Sequence, residues 1–248
     1  MTQNNTHSTE VTTGVVLITG ASSGIGLAIS KKLLQEGHTV IGLARDFKKC
    51  EFVHEHFQQV AIDLSDSAEI ENRVPKLIKS LDQPLRALVN NAGIGKMGYL
   101  EQLSVSDIRE SVDTNFLSHV LVTKAALPLM KQQTCTSDVV FLGSEAALSG
   151  AQQGSIYCAT KFALRGFAQS LRQECAKSSV RITLVNPGAV RSNFFDNLNF
   201  EPGDSPDNAI EPDDVAKVVS DVINMRAGTV IDEINLSPLK KVWQSKNS

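Results

Sequence analysis

Short apolar segments alternate with amphipathic segments along most of the chain, and this alternation restricts the possible folds more than any other feature. A β-branched run at 15–19 is followed by helical spacing over 26–36, which ends at Gly37. Further strands are predicted at 39–44, 60–64, 85–90, 138–142, 181–185 and 229–236, and further helices from near Ser67 and over 107–131, 156–177 and 213–224. Strands that alternate with helices form parallel βαβ units, and uniformly apolar strands fit a sheet covered on both faces. The sequence therefore predicts an α/β protein with one doubly wound parallel sheet of about seven strands and helices on both faces.

Length and composition are consistent with one globular domain. The 248 residues can bury a sizeable core, and 42% of them are hydrophobic while 21% are charged. We expect a polar tail at 1–13 and a single domain at 14–248. Within that domain, the segment 193–212 combines prolines with apolar residues, which is typical of a lid-like insertion.

Charge and segment composition disfavour several kinds of partner. The net charge of −3 gives no basis for binding nucleic acid. The N-terminal residues lack the features of a signal peptide, and no run approaches the roughly 18 apolar residues of a membrane span. The cysteines are scattered without metal-ligand spacing. We therefore expect a cytoplasmic protein without a metal site, a nucleic-acid partner or a membrane partner.

Three glycines directly follow the first predicted strand. Gly20, Gly24 and Gly26 lie where the strand turns into a helix, so the backbone there can approach a ligand closely. A helix N-terminus supplies N–H groups without intrahelical partners, and Ser22 and Ser23 can add hydroxyl donors. The segment thus predicts a phosphate-binding loop, although its GxxxGxG spacing differs from the common GxGxxG fingerprint.

Further motifs follow this loop in a fixed order. They are NNAG at 90–93, a serine at 144, YCATK at 157–161 and PG at 187–188. Together with TGASSGIG at 19–26, they resemble the pattern of the short-chain dehydrogenase/reductase family, over residues from about 15 to 236. The resemblance implies a Rossmann-type fold and hydride transfer between a nicotinamide cofactor and a carbonyl or secondary alcohol substrate.

Tyr157 and Lys161 are four residues apart, which places them on one face of a helix. A tyrosine with a pKa of about 10 is a weak acid at neutral pH, and a neighbouring ammonium group is expected to lower that pKa. The pair is therefore suited to general acid–base catalysis. The resemblance implies that Lys161 also binds the nicotinamide ribose, that Ser144 orients the substrate oxygen and that Asn115 supports a proton relay through water.

The resemblance also implies cofactor contacts at the ends of several strands. Ala44, the last residue of the second strand, is not acidic, and Arg45 follows it. Since a guanidinium can bind a 2′-phosphate, NADP(H) is favoured, with NAD(H) as the alternative because Asp46 lies nearby. The predicted cofactor-binding residues are Gly20, Ser22, Ser23, Gly24, Ile25, Gly26, Arg45, Asp63, Leu64, Asn91, Ala92, Gly93, Tyr157, Lys161, Pro187, Gly188, Val190 and Ser192.

The sequence leaves the substrate open. The apolar residues of 193–212 can line a pocket, or they can belong to the core or to an oligomer contact; they are Phe194, Phe195, Leu198 and Phe200. Glu145, beside Ser144, argues against anionic substrates on that side of the site. A ketone, a hydroxy acid and a steroid-like alcohol all remain compatible with the sequence.

The favoured function is an NADP(H)-dependent oxidoreductase with a small-molecule carbonyl or alcohol substrate. The alternative is a nucleotide-sensing regulatory protein on the same fold, which is disfavoured because the serine, tyrosine and lysine are all present. The resemblance implies a homodimer or homotetramer that pairs through the helices of Asn115 and Tyr157. Apolar residues on the second of these helices can supply that interface or can all face the sheet; they are Phe162, Leu164, Phe167 and Leu171.

Overall fold

The computed structural model of the chain describes residues 13–246, so the predicted tail at 1–13 lies outside the described residues except for Thr13. The strands are β1 (Val15–Thr19), β2 (Thr39–Ala44), β3 (Phe57–Ala61), β4 (Leu85–Asn90), β5 (Ser137–Leu142), β6 (Val180–Pro187), β7 (Phe200–Pro202), β8 (Glu233–Leu236) and β9 (Trp243–Ser245). The α-helices are α1 (Gly24–Gln35), α2 (Ser67–Lys79), α3 (Val105–Val112), α4 (Ser118–Gln132), α5 (Ser155–Glu174) and α6 (Pro212–Ile223).

Seven of these strands form one parallel sheet in the order β3-β2-β1-β4-β5-β6-β8. Helices α1 and α6 pack against one face, and α2, α4 and α5 pack against the other. The predicted fold class is confirmed. The strand order reverses direction between β1 and β4, which opens a crevice at the carboxyl ends of these strands.

The two-sided covering explains the unbroken apolar strands. Neighbouring residues of β1 point to opposite faces of the sheet, so Leu17 packs with α4 and α5 while Ile18 packs with α1 and α6. Both side chains are fully buried, at 1% and 0% exposure. Each contributes roughly 2 kcal/mol by leaving water, and a polar residue at either position would lose that contribution.

Some element boundaries differ from the prediction. Strand β3 begins and ends three residues earlier than the predicted strand at 60–64. The prediction was displaced because Gln58 and Gln59 of this edge strand are exposed and give no apolar signal, while the buried Ile62 lies just after the strand. The predicted helix at 107–131 begins earlier, at a capping box on Ser104, and a π-helical turn (Asp113–Leu117) divides it into α3 and α4. Strand β8 is confined to its last four predicted residues.

The apolar residues of α5 divide between the core and the surface. Leu164 and Leu171 are buried against the sheet, and Phe167 packs edge-to-face on Phe141 of β5. Phe162 remains 44% exposed. The alternative that these side chains face the sheet therefore holds for three of the four, and an oligomer contact through α5 stays a prediction that rests on Phe162.

Candidate active site

Two adjoining cavities open at the carboxyl ends of the central strands. The glycine-loop cavity, next to the β1–α1 turn, has a volume of about 890 Å³, and the tyrosine cavity, next to Tyr157, has a volume of about 620 Å³. Residues that line both are Ile25, Asn91, Gly93, Met97, Ser192 and Phe194. The cavities therefore form one crevice at the place where doubly wound sheets bind ligands.

Most of the predicted site residues line this crevice. The glycine-loop cavity is lined by Gly20, Ser22, Ser23, Gly24, Ile25, Arg45, Asp63, Leu64, Asn91, Ala92, Gly93 and Ser192. The tyrosine cavity adds Ser144, Tyr157, Lys161, Pro187, Gly188 and Val190. Gly26 and Asn115 line neither cavity, and each has a packing role instead.

The turn between β1 and α1 has the geometry of an anion-binding loop. Gly20 and Gly24 have φ angles of +67° and +53°, in the left-handed region that favours glycine. A Cβ on Gly26 would lie 2.2 Å from the carbonyl oxygen of Gly20, so only glycine lets the helix approach the turn so closely. Ser23 makes no side-chain cap on α1, and the first turn of α1 carries no acidic residue. The N–H groups of that turn are therefore oriented to receive an anion.

Residues after β4 hold the glycine turn in place. The side-chain amide of Asn91 donates to the carbonyl oxygens of Thr19 at 2.9 Å and Gly20 at 3.1 Å. The hydroxyl of Thr19 accepts from the backbone N–H groups of Asn91 at 2.9 Å and Ala92 at 3.0 Å. The Asn91 side chain thus fixes the position of the turn between β1 and α1.

Charged residues line part of the glycine-loop cavity. The Arg45 side chain is 69% exposed, and its guanidinium lies 4.0 Å from the Glu110 carboxylate. Lys96 is more firmly engaged, because it pairs with Asp107 at 3.0 Å and with Glu110 at 3.3 Å. The Asp46 carboxylate accepts from a backbone N–H of its own loop at 3.1 Å rather than from Arg45. Sequence reasoning did not single out Lys49, which also lines this cavity.

Tyr157 and Lys161 lie one turn apart on α5 with opposite pKa shifts. The Lys161 Nζ lies 5.9 Å from the centre of the Tyr157 ring and donates to the Leu142 carbonyl oxygen at 2.9 Å. Burial lowers the pKa of Lys161 to about 8. Burial also raises the pKa of Tyr157 to about 12, while the Ser144 side chain acts in the lowering direction. The expected lowering of the tyrosine pKa is therefore wrong for this structure, because loss of solvent is the largest influence on the phenol and the nearby Glu145 carboxylate acts in the same direction.

Asn115 lies in the π-helical turn between α3 and α4 and is fully buried. Its Oδ1 accepts from the backbone N–H of Ile94 at 2.8 Å, and its Nδ2 donates to the Ile94 carbonyl oxygen at 3.0 Å. A Cβ on Gly93 would lie 3.6 Å from the Asn115 Oδ1 and 3.8 Å from the Lys161 Nζ. Asn115 therefore fixes the loop that passes directly over the lysine, and π-turns of this kind are frequent at functional sites.

Ser144 follows β5 and is positioned by a residue that the sequence reasoning missed. The Asn186 Oδ1 accepts from the Ser144 backbone N–H at 3.3 Å, and its Nδ2 donates to Glu233 at 2.8 Å and Asn235 at 2.9 Å. The Ser144 hydroxyl accepts from a backbone N–H two residues later at 3.1 Å, which leaves its proton free to donate. A Cβ on Gly143 would lie 2.0 Å from the Asn186 Oδ1, so the glycine beside Ser144 is needed for this support.

Aromatic side chains form one wall of the tyrosine cavity. Phe194 lies 5.6 Å from Tyr157 between ring centres, and Phe195 follows at 5.3 Å from Phe194. Trp243 packs on Phe195 at 5.9 Å and on Phe200 at 5.3 Å. Phe194, Phe195 and Phe200 therefore line this pocket, while Phe195 and Leu198 also belong to a small buried cluster, so both the pocket and the core alternatives hold in part. The C-terminal tryptophan packs on Phe195 and Phe200.

Between residues 13 and 246, no three or more His, Cys, Asp or Glu side chains cluster so as to hold a metal ion. None of the helices in that range has the length and apolar character needed to cross a bilayer. The cysteines at positions 50, 135, 158 and 175 are free thiols.

Known proteins with similar sequences are oxidoreductases. A family model described as short chain dehydrogenase matches residues 14–202. A sepiapterin reductase of Chlorobaculum tepidum is 29% identical over 238 residues, which cover 90% of this chain and 96% of that protein. The NADP-dependent 3-hydroxy acid dehydrogenase YdfG of Escherichia coli is 29% identical in an alignment of 251 positions that covers 94% of this chain and 98% of that protein.

Solved structures give the same result. A serine dehydrogenase in its closed form, complexed with NADP⁺, is 27% identical, has a TM-score of 0.77 and matches 90% of this chain and 94% of its own. A metagenomic short-chain oxidoreductase in complex with NADP is 28% identical, has a TM-score of 0.78 and matches 92% and 98%. This chain therefore belongs to the short-chain dehydrogenase/reductase family and is an oxidoreductase that acts on CH–OH and C=O groups.

Proposed function

We propose that this chain catalyses the NADP(H)-dependent interconversion of a carbonyl compound and a secondary alcohol. The observation that carries the proposal is one continuous crevice, with an anion-binding glycine loop at one part and Ser144, Tyr157 and Lys161 at the other. Acid–base groups and a nucleotide-binding loop are thereby within reach of one bound pair of reactants. A nicotinamide cofactor, when bound, supplies or accepts the hydride.

The residues of the glycine-loop cavity fit such a dinucleotide. The first turn of α1, with the hydroxyls of Ser22 and Ser23, has the donors that a pyrophosphate requires. Gly93 leaves space beside the Lys161 ammonium group, where a ribose hydroxyl can be held. Asp63 and Leu64 would contact the adenine, and the wall from Pro187 to Ser192 would contact the nicotinamide. The cofactor-binding residues predicted from the sequence are therefore part of the proposed binding site.

Tyr157 is the proposed proton donor in the reducing direction. Its raised pKa keeps the hydroxyl protonated at neutral pH, so it can give a proton to a substrate oxygen that the Ser144 hydroxyl holds by a hydrogen bond. Lys161, when protonated, stabilises the tyrosinate that remains. Asn115 acts as a positioning residue, because it holds the Ile94 backbone in the loop above Lys161.

The charges at the end of β2 support a preference for NADP(H). Ala44 places no carboxylate at the last position of the strand, where an acidic residue would bind a ribose 2′-hydroxyl. The exposed guanidinium of Arg45 and the nearby Lys49 both line the cavity, and neither forms a close ion pair. The name of the Escherichia coli relative and the ligands of the two solved structures, all NADP, agree with this preference.

The direct test is a calorimetric titration of the purified full chain with NADPH and with NADH. We expect NADPH to bind at least about tenfold tighter, and we expect Arg45→Ala to reduce that ratio by roughly tenfold through loss of the contact to the 2′-phosphate. Arg172→Ala is the matched control, because it removes an arginine that pairs with Asp232 outside both cavities. Binding of neither cofactor would refute the proposal, and an unchanged ratio in Arg45→Ala would refute the role of Arg45.

The remaining expectations stand as predictions. A nucleotide-sensing regulator is not supported, because the relatives are named reductases and dehydrogenases and the acid–base residues share one cavity. A single domain over 14–248 with a lid-like segment at 193–212, a homodimer or homotetramer, and a cytoplasmic location follow from the sequence and the family.

A further inference from the structure

The tyrosine cavity extends beyond Ser144 and Tyr157 into a compartment built from separate parts of the chain. Met97 contributes from the segment after β4, Phe194 and Phe195 from the segment after β6, and Trp243 from the C-terminal segment. If the nicotinamide contacts the wall from Pro187 to Ser192, this compartment is the part of the tyrosine cavity that is left for the substrate. An inference about its ligand therefore rests on the function proposed above.

Backbone pairing fixes the C-terminal wall of this compartment. Strand β9 pairs antiparallel with β7, with Trp243 opposite Pro202 and Gln244 opposite Glu201. The Gln244 side chain also donates to the Asp204 carboxylate at 2.9 Å. Trp243 is thus held against Phe200, so the wall that faces the acid–base residues is aromatic and apolar.

Two of the three charges in the same compartment, those of Glu145 and Lys241, are paired with each other. Among the described residues that line the tyrosine cavity, the charged side chains are Glu145, Lys161 and Lys241. Lys161 is buried and donates to the Leu142 carbonyl oxygen. The Lys241 Nζ lies 2.5 Å from the Glu145 Oε2, so each of these two charges has the other as its partner.

Among the described lining residues, a substrate carboxylate would find no cation without a carboxylate partner except Lys161, which the proposed function already assigns to Tyr157 and the cofactor ribose. It would lose water, meet the Glu145 carboxylate beside Ser144 and compete with that carboxylate for Lys241. An uncharged substituent meets no such cost and gains contact with the aromatic wall. The other polar groups of the lining, such as Gln152 and Asn199, are neutral. They can donate hydrogen bonds to an uncharged substrate or accept them from it.

We infer that the substrate is an uncharged carbonyl compound, or the corresponding alcohol, with an aromatic or apolar substituent, and that the Glu145–Lys241 ion pair excludes carboxylate substrates. Glu145 and Lys241 are specificity-determining residues in this assignment. The substrate class differs from the hydroxy acid in the name of the Escherichia coli relative. In the reducing direction, one NADPH and one proton are consumed, the carbonyl becomes a secondary alcohol, and NADP⁺ is released.

The kinetic test compares ethyl benzoylformate with benzoylformate, which share a ring and a ketone but differ in charge. With NADPH and the full chain, we expect kcat/KM for the ester to exceed that for the carboxylate by about 100-fold or more, because the carboxylate must lose its solvation without a partner. Glu145→Gln leaves Lys241 unpaired and is expected to raise kcat/KM for benzoylformate by about tenfold or more. Lys241→Ala leaves Glu145 unpaired and is expected to widen the preference for the ester.

Asp207→Asn is the matched control for Glu145→Gln. Asp207 pairs with Lys240 at 2.9 Å, next to Lys241 in the chain, but neither residue lines the tyrosine cavity. The control variant frees a lysine outside the compartment and should leave the ratio of the two substrates unchanged. Equal or better use of benzoylformate by the unmodified chain would overturn the inference, and so would an effect of Asp207→Asn as large as that of Glu145→Gln.

A binding readout separates this inference from the proposed function. Trp243 is the only tryptophan of the chain, so its fluorescence reports on the compartment without turnover. We expect the ester to change the emission at a concentration about tenfold or more below that needed for the carboxylate. If the ester binds more tightly than the carboxylate but is not turned over with NADPH or NADH, the proposed function is refuted and the assignment of the compartment stands. If the ester causes no change in fluorescence, the assignment of the compartment is overturned.

Discussion

Tyr157 and Lys161 show how one physical cause acts in opposite directions on two neighbouring residues. Burial disfavours the charged form of each, so the pKa of the phenol rises to about 12 and the pKa of the ammonium group falls to about 8. Near neutral pH the pair thus consists of a protonated tyrosine and a lysine close to its titration point. The raised pKa keeps the proton on Tyr157 but makes it a weaker acid, so donation to a carbonyl oxygen depends on Lys161, which can stabilise the tyrosinate only while it keeps its own proton.

The titration of Lys161 predicts a pH dependence of the reduction. We expect kcat for ethyl benzoylformate with NADPH to fall as the pH rises through about 8, because the neutral amine no longer stabilises the tyrosinate. A pH profile between 6 and 10 measures this. A kcat that is constant over that range would contradict the assignment of Lys161.

Loss of the fold does not explain a fall of kcat above pH 8, because the titration of Lys161 makes the folded state more stable, not less, as the pH rises. The pKa of Lys161 is about 8 in the fold and 10.5 in its unperturbed state, so the unfolded chain binds the extra proton between these values. The contribution of Lys161 to the free energy of unfolding therefore increases as pH rises over this window. Urea unfolding at pH 7 and pH 9 is the control for the activity profile.

Tyr157→Phe should abolish turnover at every pH and keep NADPH binding.

At the level of elements, two local departures from regular structure build the site. The π-helical turn (Asp113–Leu117) lets one continuous helical stretch point Asn115 at the Ile94 backbone. The short β7–β9 pair brings the C-terminal segment to the aromatic residues after β6. Neither feature is required by the seven-stranded sheet. The first holds the loop beside Lys161 through Asn115, and the second places Trp243 in the wall of the tyrosine cavity.

The β7–β9 pair predicts that Trp243 contributes to substrate binding. Trp243→Ala removes an aromatic side chain from the compartment wall, so an aromatic substrate loses a contact worth about 0.5–1.5 kcal/mol and KM for ethyl benzoylformate should rise by up to roughly tenfold. We expect the Kd for NADPH to remain unchanged, because Trp243 lines only the tyrosine cavity.

Leu239→Ala is the comparison for this variant, since Leu239 lies in the same segment but is 81% exposed. Steady-state kinetics on both variants, with the NADPH affinity from calorimetry, separate a local effect from loss of the fold. An unchanged KM in Trp243→Ala would show that the β9 wall is not part of the substrate site.

At the level of the whole molecule, a buried ionic cluster joins the sheet to α6 at the end opposite the crevice. Asp138 of β5 accepts from Arg181 of β6 at 2.7 Å through each carboxylate oxygen, and it also pairs with Arg86 of β4. Arg181 donates further to the carbonyl oxygens of Ile223, the last residue of α6, at 2.9 Å and of Met225, just past it, at 2.7 Å. The cluster thus stabilises the sheet and helix while the other end of the same strands carries the chemistry.

Removal of the central carboxylate predicts a loss of stability without a loss of the site. Asp138→Ala leaves two buried guanidinium groups without their anion, so the free energy of unfolding should fall by about 3–5 kcal/mol. Urea unfolding measures this, with Asp221→Ala as the control, because the exposed Lys217–Asp221 pair contributes only about 0.3–0.5 kcal/mol. The folded fraction of Asp138→Ala should bind NADPH with unchanged affinity. A destabilisation below about 1 kcal/mol would contradict the stabilising role of the cluster.

Much of the architecture could be predicted from the sequence because its signals are local. Apolar runs bounded by glycine and polar residues located β1, β2 and β4 to within a residue, and the spacing of the motifs located Tyr157 and Lys161 on one helix. Strand β3 was displaced because two exposed glutamines on an edge strand give no apolar signal. The π-turn was missed because a single wide turn inside a helical stretch is too short to give a periodicity of its own.

The sequence by itself determined the parallel α/β sheet, the glycine turn and the residue types at the crevice, because these depend on neighbours within a few positions of the chain. Only the tertiary structure decided what solvent remains around those residues, and burial reversed the expected direction of the Tyr157 pKa. Only the tertiary structure brought Lys241 to Glu145, 96 residues away along the chain, and Trp243 to Phe200. Long-range contacts and loss of solvent arise from packing, so no periodicity or spacing in the sequence encodes them locally.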